Sequence, residues 1–290
     1  HLDRAPAIVS DGAGGAIVIC EQVYRSGEDA GDSDIIAKRL SSEGRPLWFN
    51  GEKSATVAAT KWHERKPVAV PDGAGGAIVA FGAEVVSGEY AGDIDVLARR
   101  ISSTGELLWE GGKKSVNVIA TKQIDRSPVI VSDGAGGAII ACEQQTTSGE
   151  YRGDSDILAQ RVSGDGRCLW LGGNKSVSAI ATTNRDRLPA ITSDGAGGTI
   201  VACEKEIVSG EDRGDVDIMI QRLSASGQIL WGGGKNALAI LASRQEERAP
   251  ALSPDGRGGA VLAAERVYRS GEYAGDEDIL TNLRNIAMCI

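Results

Sequence analysis

Five stretches of the 290-residue chain carry carboxylates at one fixed spacing, S-G-E-x-x-G-D-x-D. They supply Glu28, Asp32 and Asp34; Glu89, Asp93 and Asp95; Glu150, Asp154 and Asp156; Glu211, Asp215 and Asp217; and Glu272, Asp276 and Asp278. Three oxygen donors within a short loop suit calcium, a hard cation that takes six to eight oxygen ligands. The spacing is not that of an EF-hand. An equally available reading has the last Asp of each set capping its own loop through backbone N–H groups, with the others pairing with arginine or facing water. The acids do not vary between copies, whereas the x positions do: Asp29, Tyr90, Tyr151, Asp212 and Tyr273 align. Paired carboxylates are also the machinery of glycoside hydrolysis. Here they occur as fivefold copies rather than as one tuned pair.

A second periodic set is Arg4, Arg65, Arg126, Arg187 and Arg248. Guanidinium forks suit carboxylate, phosphate or sulfate, so these five are candidates for an anion-binding ring. The competing reading is an arginine–carboxylate pair between adjacent repeats. A third set, Arg39, Arg100, Arg161 and Arg222, lies among apolar neighbours. A buried arginine must be paired, which predicts partners such as Glu21, Glu143 and Glu204. Repeat two has Gly82 there, with Glu84 as the expected substitute. Only two histidines are present, His1 and His63, and no H-E-x-x-H, G-x-S-x-G or Cys–His arrangement occurs. Lys61-Trp62-His63-Glu64 departs from the repeat pattern and reads as an exposed loop variant. An enzyme needs unlike groups converging at one place, and a symmetric array offers the same groups everywhere.

These residues are set by a tandem repeat. Asp-Gly-x-Gly-Gly recurs at Asp11, Asp72, Asp133, Asp194 and Asp255, always 61 residues apart, and such periods identify arrays of stacked units. In repeat one, Pro6–Ser10 is extended and the glycine turn reads as a tight hairpin. Ala16–Cys20 and Asp34–Leu40 are β-branched strands, and Pro46-Leu47-Trp48 opens a fourth. Ser54–Ala58 extends or accompanies that fourth strand. No segment keeps a helical apolar period with caps. Four short strands per unit describe the blade of a β-propeller. The predicted fold is therefore all-β: a five-bladed β-propeller of four-stranded antiparallel blades in one domain, 1–290. The blades fall near 4–64, 65–125, 126–186, 187–247 and 248–290. The last departs from the pattern after Asp278, where Leu283 replaces arginine and no tryptophan follows, so blade five is either finished by a brief strand or incomplete. Trp48, Trp109, Trp170 and Trp231 keep the period and read as wedges between neighbouring blades, with sugar-stacking platforms as the other option. An open β-solenoid is disfavoured by the hairpin glycines. In a propeller the acidic loops and the segments before the leading arginines share one rim.

A net charge of −9 disfavours nucleic acid and anionic membranes. No apolar run approaches the ~18–20 residues that span a bilayer, which predicts no membrane insertion. No signal-peptide pattern is visible, and the chain opens on His1, as expected if preceding sequence has been removed. The five cysteines lack paired spacing. Cys20, Cys142 and Cys203 share a position with Phe81 and Ala264, which marks a packing site and predicts buried free thiols.

The pattern P-x-[IV]-x-x-DG-x-GG-x-[IV], D-I-x-A-x-R-L and S-x-x-G-x-x-L-W resembles tandem propeller repeats of bacterial, often secreted, proteins of uncharacterised function. In general plan, five such blades also resemble tachylectin-like lectins, without their sugar-site motifs. The Ser-Asp-Gly turn differs from a sialidase Asp-box, which requires S-x-D-x-G-x-x-W. The resemblance implies the propeller and favours a secreted or cell-surface setting. The expected role is a non-enzymatic scaffold that binds a small ligand, a glycan or a protein through the loops of one rim. The alternative is a glycan-acting hydrolase or lectin using the rim carboxylates.

Overall fold

The computed structural model describes residues 1–27, 30–269 and 273–282. Its repeats are built from antiparallel strands. Repeat one holds β1 (Leu2–Ser10), β2 (Ala16–Val23), β3 (Ser33–Leu40) and β4 (Ala55–Ala58). Repeat two holds β5 (His63–Pro71), β6 (Ala77–Glu84), β7 (Ile94–Ile101) and β8 (Val116–Ile119). Repeat three holds β9 (Ile124–Ser132), β10 (Ala138–Gln145), β11 (Ser155–Val162) and β12 (Val177–Ile180). Repeat four holds β13 (Arg185–Ser193), β14 (Thr199–Glu206), β15 (Val216–Leu223) and β16 (Leu238–Leu241). The described part of repeat five holds β17 (Glu246–Pro254), β18 (Ala260–Val267) and β19 (Glu277–Asn282). The expected ending of blade five beyond Asn282 lies outside the described residues. Strand order within the repeats is sequential, and one parallel bridge, Ile94 opposite Ile124, joins β7 to β9.

The hairpin glycines have a direct physical reason. Asp11 Oδ1 accepts the N–H groups of Ala13 and Gly15 at 2.9 and 2.8 Å, locking the turn. A Cβ on Gly15 would lie 2.2 Å from the Leu40 carbonyl oxygen, so only glycine lets the turn lie against β3.

The fourth strand differs from the expectation. Trp48 does not open it. Leu40 and Pro46 make only an isolated bridge, and Trp48–Gly51 is a kinked 3-10 turn in which Phe49 and Asn50 take φ of 49° and 57°. Left-handed backbone breaks extended pairing, so β4 begins at Ala55, in the segment expected to extend or accompany it.

The chain divides into two compact units. One is His1–Ile140 with Arg161–Leu169, and the other is Ala141–Gln160 with Trp170–Ile290. In the first unit Ile17, Ile19, Ile35, Ala37 and Trp48 form one core with Ala77, Val79, Phe81 and Ala83 of β6. The alternate β6 residues Ile78 and Ala80 are fully buried as well. Strand β6 is therefore covered on both faces, which explains its unbroken apolar run. In the second unit Ile200, Ala202, Ile218, Ile220 and Trp231 pack with Ala260, Leu262 and Ala264. Each fully buried Ile or Phe contributes about 1.5–3 kcal/mol.

Trp48, Trp109 and Trp170 link consecutive repeats. Their indole N–H groups donate to the carbonyl oxygens of Ser103, Gly164 and Ala225 at 2.8, 3.0 and 3.0 Å. The next repeat's turn glycine lies on the ring: a Cβ on Gly166 would sit 2.8 Å from Trp109 Cγ.

Candidate functional site

Each acidic loop closes between its second and third strands through backbone pairs, such as Tyr24 N–H to Asp32 O at 3.0 Å and Gly31 N–H to Tyr24 O at 2.8 Å. In four repeats the first Asp of D-x-D, not the last, caps the strand that follows. Asp32, Asp93, Asp154 and Asp215 accept the next residue's N–H at 2.8, 3.0, 2.9 and 3.1 Å. The reason is position: this Asp stands one residue before the strand, where an N–H still lacks a ladder partner.

The last Asp does not meet one common environment. Asp34 accepts from the Tyr24 hydroxyl at 2.7 Å, and Asp278 from Tyr268 at 3.0 Å. Asp217 pairs with Lys205 Nζ at 3.0 Å. Burial, with the Asp93 and Asp125 charges, pushes Asp95 up to about 7, and its Oδ1 is buried with no hydrogen-bond partner. Burial and the Asp154 charge push Asp156 to about 6. Glu89, Glu150, Glu211 and Asp276 are exposed. Glu28 and Glu272 lie outside the described residues. Among the described residues, no group of three or more His, Cys, Asp or Glu side chains is placed to hold a metal ion.

Behind these loops stands a set of acids that the sequence reading passed over. The residue before each leading arginine is acidic: Asp3, Glu64, Asp125, Asp186 and Glu247. The last four are at most 1% exposed. The turn before each one holds it. Thr60 Oγ1 donates to Glu64 at 2.5 Å, Thr182 N–H to Asp186 at 2.7 Å, and Ser243 Oγ to Glu247 at 2.6 Å. Burial raises Glu64 and Asp186 to about 7 against the pull of these hydrogen bonds, helped by Asp34 and Asp32 in one case and Asp156 and Asp154 in the other. The detectable signal was an acid–arginine pair at the repeat period, obscured because the acid is Asp in three copies and Glu in two.

Four of the five leading arginines pair inside their own repeat rather than between repeats. Arg4 donates to Glu21 at 2.6 Å, Arg65 to Glu84 at 3.0 Å, Arg187 to Glu204 and Glu206 at 3.1 Å each, and Arg248 to Glu265 at 2.9 Å; Arg126 is also engaged. Cross-strand register sets this, because Arg4 stands opposite Glu21. The same register overturns the expected partners of the third set. Arg39, Arg100, Arg161 and Arg222 bind the hairpin carboxylates Asp11, Asp72, Asp133 and Asp194 at 2.8, 2.9, 2.8 and 3.0 Å, not Glu21, Glu143, Glu204 or Glu84. Arg39 lies opposite Ile17 at the hairpin end, four residues from Glu21. The Lys61–Glu64 segment is likewise not an exposed loop variant: Trp62 packs on the core, His63 Nδ1 lies 3.2 Å from Asp32, and Glu64 is buried.

In the second unit one acidic loop lines a cavity of about 280 Å³ with Glu150, Tyr151, Asp154, Thr183 and Arg185. Arg185 Nε donates to the Gly153 carbonyl at 3.0 Å, fixing the loop against the start of β13. Tyr151 is 67% exposed. Burial raises the Asp154 carboxyl, opposed by the Ser155 N–H and Arg185. Asp156 and the buried Asp186 stand close enough to act on one another electrostatically.

No family model matches the chain, and no curated protein matches it in sequence. Similar solved structures include a protein of unknown function from Dyadobacter fermentans, at 10% identity, covering 98% of this chain and 80% of that one, with a TM-score of 0.55. An α-L-arabinofuranosidase from Lactobacillus brevis is 9% identical over 96% of this chain and 90% of its own, with a TM-score of 0.49. An endo-arabinase from Bacteroides thetaiotaomicron is 10% identical over 96% and 93%, with a TM-score of 0.46. At these identities the likeness concerns the fold. The expectation of a non-enzymatic scaffold is corrected on the chain's own geometry, because its premise, the same groups offered by every repeat, does not hold. Lys205 pairs with Asp217 in one repeat, while burial raises the Asp95 and Asp156 carboxyls in others.

Proposed function

We propose that the chain is a five-bladed β-propeller that hydrolyses a glycan at the Glu150–Asp154 cavity. The observation that carries this reading is one cavity lined by two carboxylates in unlike environments, with an exposed aromatic ring between them in sequence. Glycoside hydrolysis needs one carboxyl that keeps its proton for the leaving oxygen and one that is ionised to activate water or attack carbon. Asp154, raised by burial, is assigned the acid role, and the exposed Glu150 the base or nucleophile. Tyr151 offers an apolar face for a sugar ring.

The test is release of reducing ends from a panel of pentose and hexose polysaccharides. Asp154→Asn and Glu150→Gln are expected to lower turnover at least 100-fold, as loss of a general acid or base does, while glycan retention persists. Retention by the unaltered protein without turnover on any member of the panel would overturn the reading.

A further inference from the structure

We propose that the notch at Gly82 is a binding site for the carboxylate of a small anionic ligand. The argument comes from comparing repeats. In repeats one, four and five the leading arginine's Nε donates to a glutamate directly across the sheet: Arg4 to Glu21 at 2.8 Å, Arg187 to Glu204 at 3.1 Å and Arg248 to Glu265 at 2.9 Å. In repeat two the residue opposite Arg65 is Gly82. Arg65 Nη1 keeps Glu84 at 3.0 Å, as Arg187 Nη1 keeps Glu206, but Arg65 Nε is buried with no hydrogen-bond partner.

The glutamate has a second task elsewhere. Residue Lys66 has φ of 51° and Ala249 has φ of 50°, each just after a leading arginine. Their N–H groups are met by the previous repeat's glutamate: Lys66 N–H to Glu21 at 3.3 Å and Ala249 N–H to Glu204 at 2.8 Å. The corresponding residue past Gly82 is Ser127, with φ of 54°. Gly82 therefore removes the carboxylate that elsewhere takes both an arginine Nε and a left-handed N–H.

What replaces it is a cavity of about 240 Å³. Gly82, Arg65, Ser127, His63, Lys66 and Arg126 line it, with Glu84 as the opposing charge. A buried donor left unmet is costly, and an unmet guanidinium Nε favours an anion. The expected geometry is that of the missing glutamate head: a planar carboxylate with Arg65 Nε on one oxygen and a backbone N–H on the other. The volume admits that carboxylate with several attached carbons, as in propionate or a uronic acid. These residues are distinct from the Glu150–Asp154 cavity, so the two proposals fail independently.

The site carries its own control. Gly82 has no left-handed φ, and a Cβ there would meet Ile94 Cγ2 at 3.4 Å, an ordinary contact. Gly82→Glu should restore the pattern of the other repeats. Thermal melting of the full chain is measured with propionate, glucuronate, sulfate, inorganic phosphate and chloride at matched ionic strength. Propionate and glucuronate are expected to raise Tm saturably by about 2–4 °C. Gly82→Glu is expected to melt higher without ligand and to lose that rise. Titration calorimetry with glucuronate on the unaltered protein and on Arg65→Gln reads binding directly, with at least a tenfold weakening expected in the variant. No response to either carboxylate, an equal response to sulfate and phosphate, or an undiminished response in Gly82→Glu would each overturn the proposal.

Discussion

Trp48 and Ser103 meet across a repeat boundary: the indole N–H donates to the Ser103 carbonyl at 2.8 Å, and Arg39 Nη1 reaches the same oxygen at 2.8 Å. Two donors on one carbonyl mean that removing either one leaves the oxygen satisfied. Trp48→Phe should therefore destabilise the protein by only about 1 kcal/mol. Trp48→Ala, which empties a site 3% exposed, should cost about 3–5 kcal/mol. Denaturant unfolding of both variants checks the ratio.

The hairpin aspartates should be among the most sensitive positions. Asp72 accepts Ala74 and Gly76 N–H groups at 2.8 Å each and pairs with Arg100 at 2.9 Å. Asp72→Ala strands a mostly buried guanidinium and two turn donors, for an expected loss of about 3–5 kcal/mol. Asp72→Asn keeps a carbonyl acceptor and should lose less. Equilibrium unfolding that ranks them in the reverse order would refute the assignment.

Glycine substitutions in that same turn should differ sharply. A Cβ on Gly76 would fall 2.1 Å from the Ile101 carbonyl oxygen, whereas Gly73, at φ of 76°, has nothing within 4 Å. Gly73→Ala should cost about 1–2 kcal/mol through its left-handed backbone alone. Gly76→Ala should prevent the hairpin from closing and leave little soluble, cooperatively melting protein.

The buried acids set a pH dependence with a definite sign. Asp95, Asp186 and Glu64 keep their protons to about pH 7 when folded, against about 4 when unfolded. The folded chain thus binds more protons between about pH 4 and 7. Their contribution to stability is complete below the unfolded value and is lost as pH rises through 7. Tm should fall between pH 5 and 7.5. Asp95→Asn should flatten the slope and gain about 1–2 kcal/mol at pH 7.5, after allowance for partial exposure. Melting curves across that range decide it.

The 61-residue period and the hairpins were legible because they rest on local chemistry: Asp-Gly-x-Gly-Gly closes on itself, and the β-branched runs follow it. Register was not legible. Whether Arg39 meets Asp11 or Glu21 depends on which residues face each other across β2 and β3, and composition does not encode that alignment. A bulge between Arg4 and Ala7 shifts the first strand further. The turn after Trp48 was missed because Phe49 and Asn50 take left-handed backbone without glycine. The buried acids at Glu64, Asp125, Asp186 and Glu247 were hidden by a change of residue type at a constant charge. The chemical inequality of the carboxylates was out of reach, since it arises from burial and from single substitutions such as Lys205.

The handoff from each indole to the following turn gives the tandem order a direction. Repeats one to three each extend a ring forward, onto the glycines Gly105, Gly166 and Gly227 of the repeats that follow, whereas Gly44 of repeat one has nothing within 4 Å. Because plug and socket are the same in successive copies, duplicating or deleting a whole unit would preserve each remaining joint. Unit number is then free to drift over generations, while a single unequal position such as Gly82 can be singled out without redesigning its neighbours.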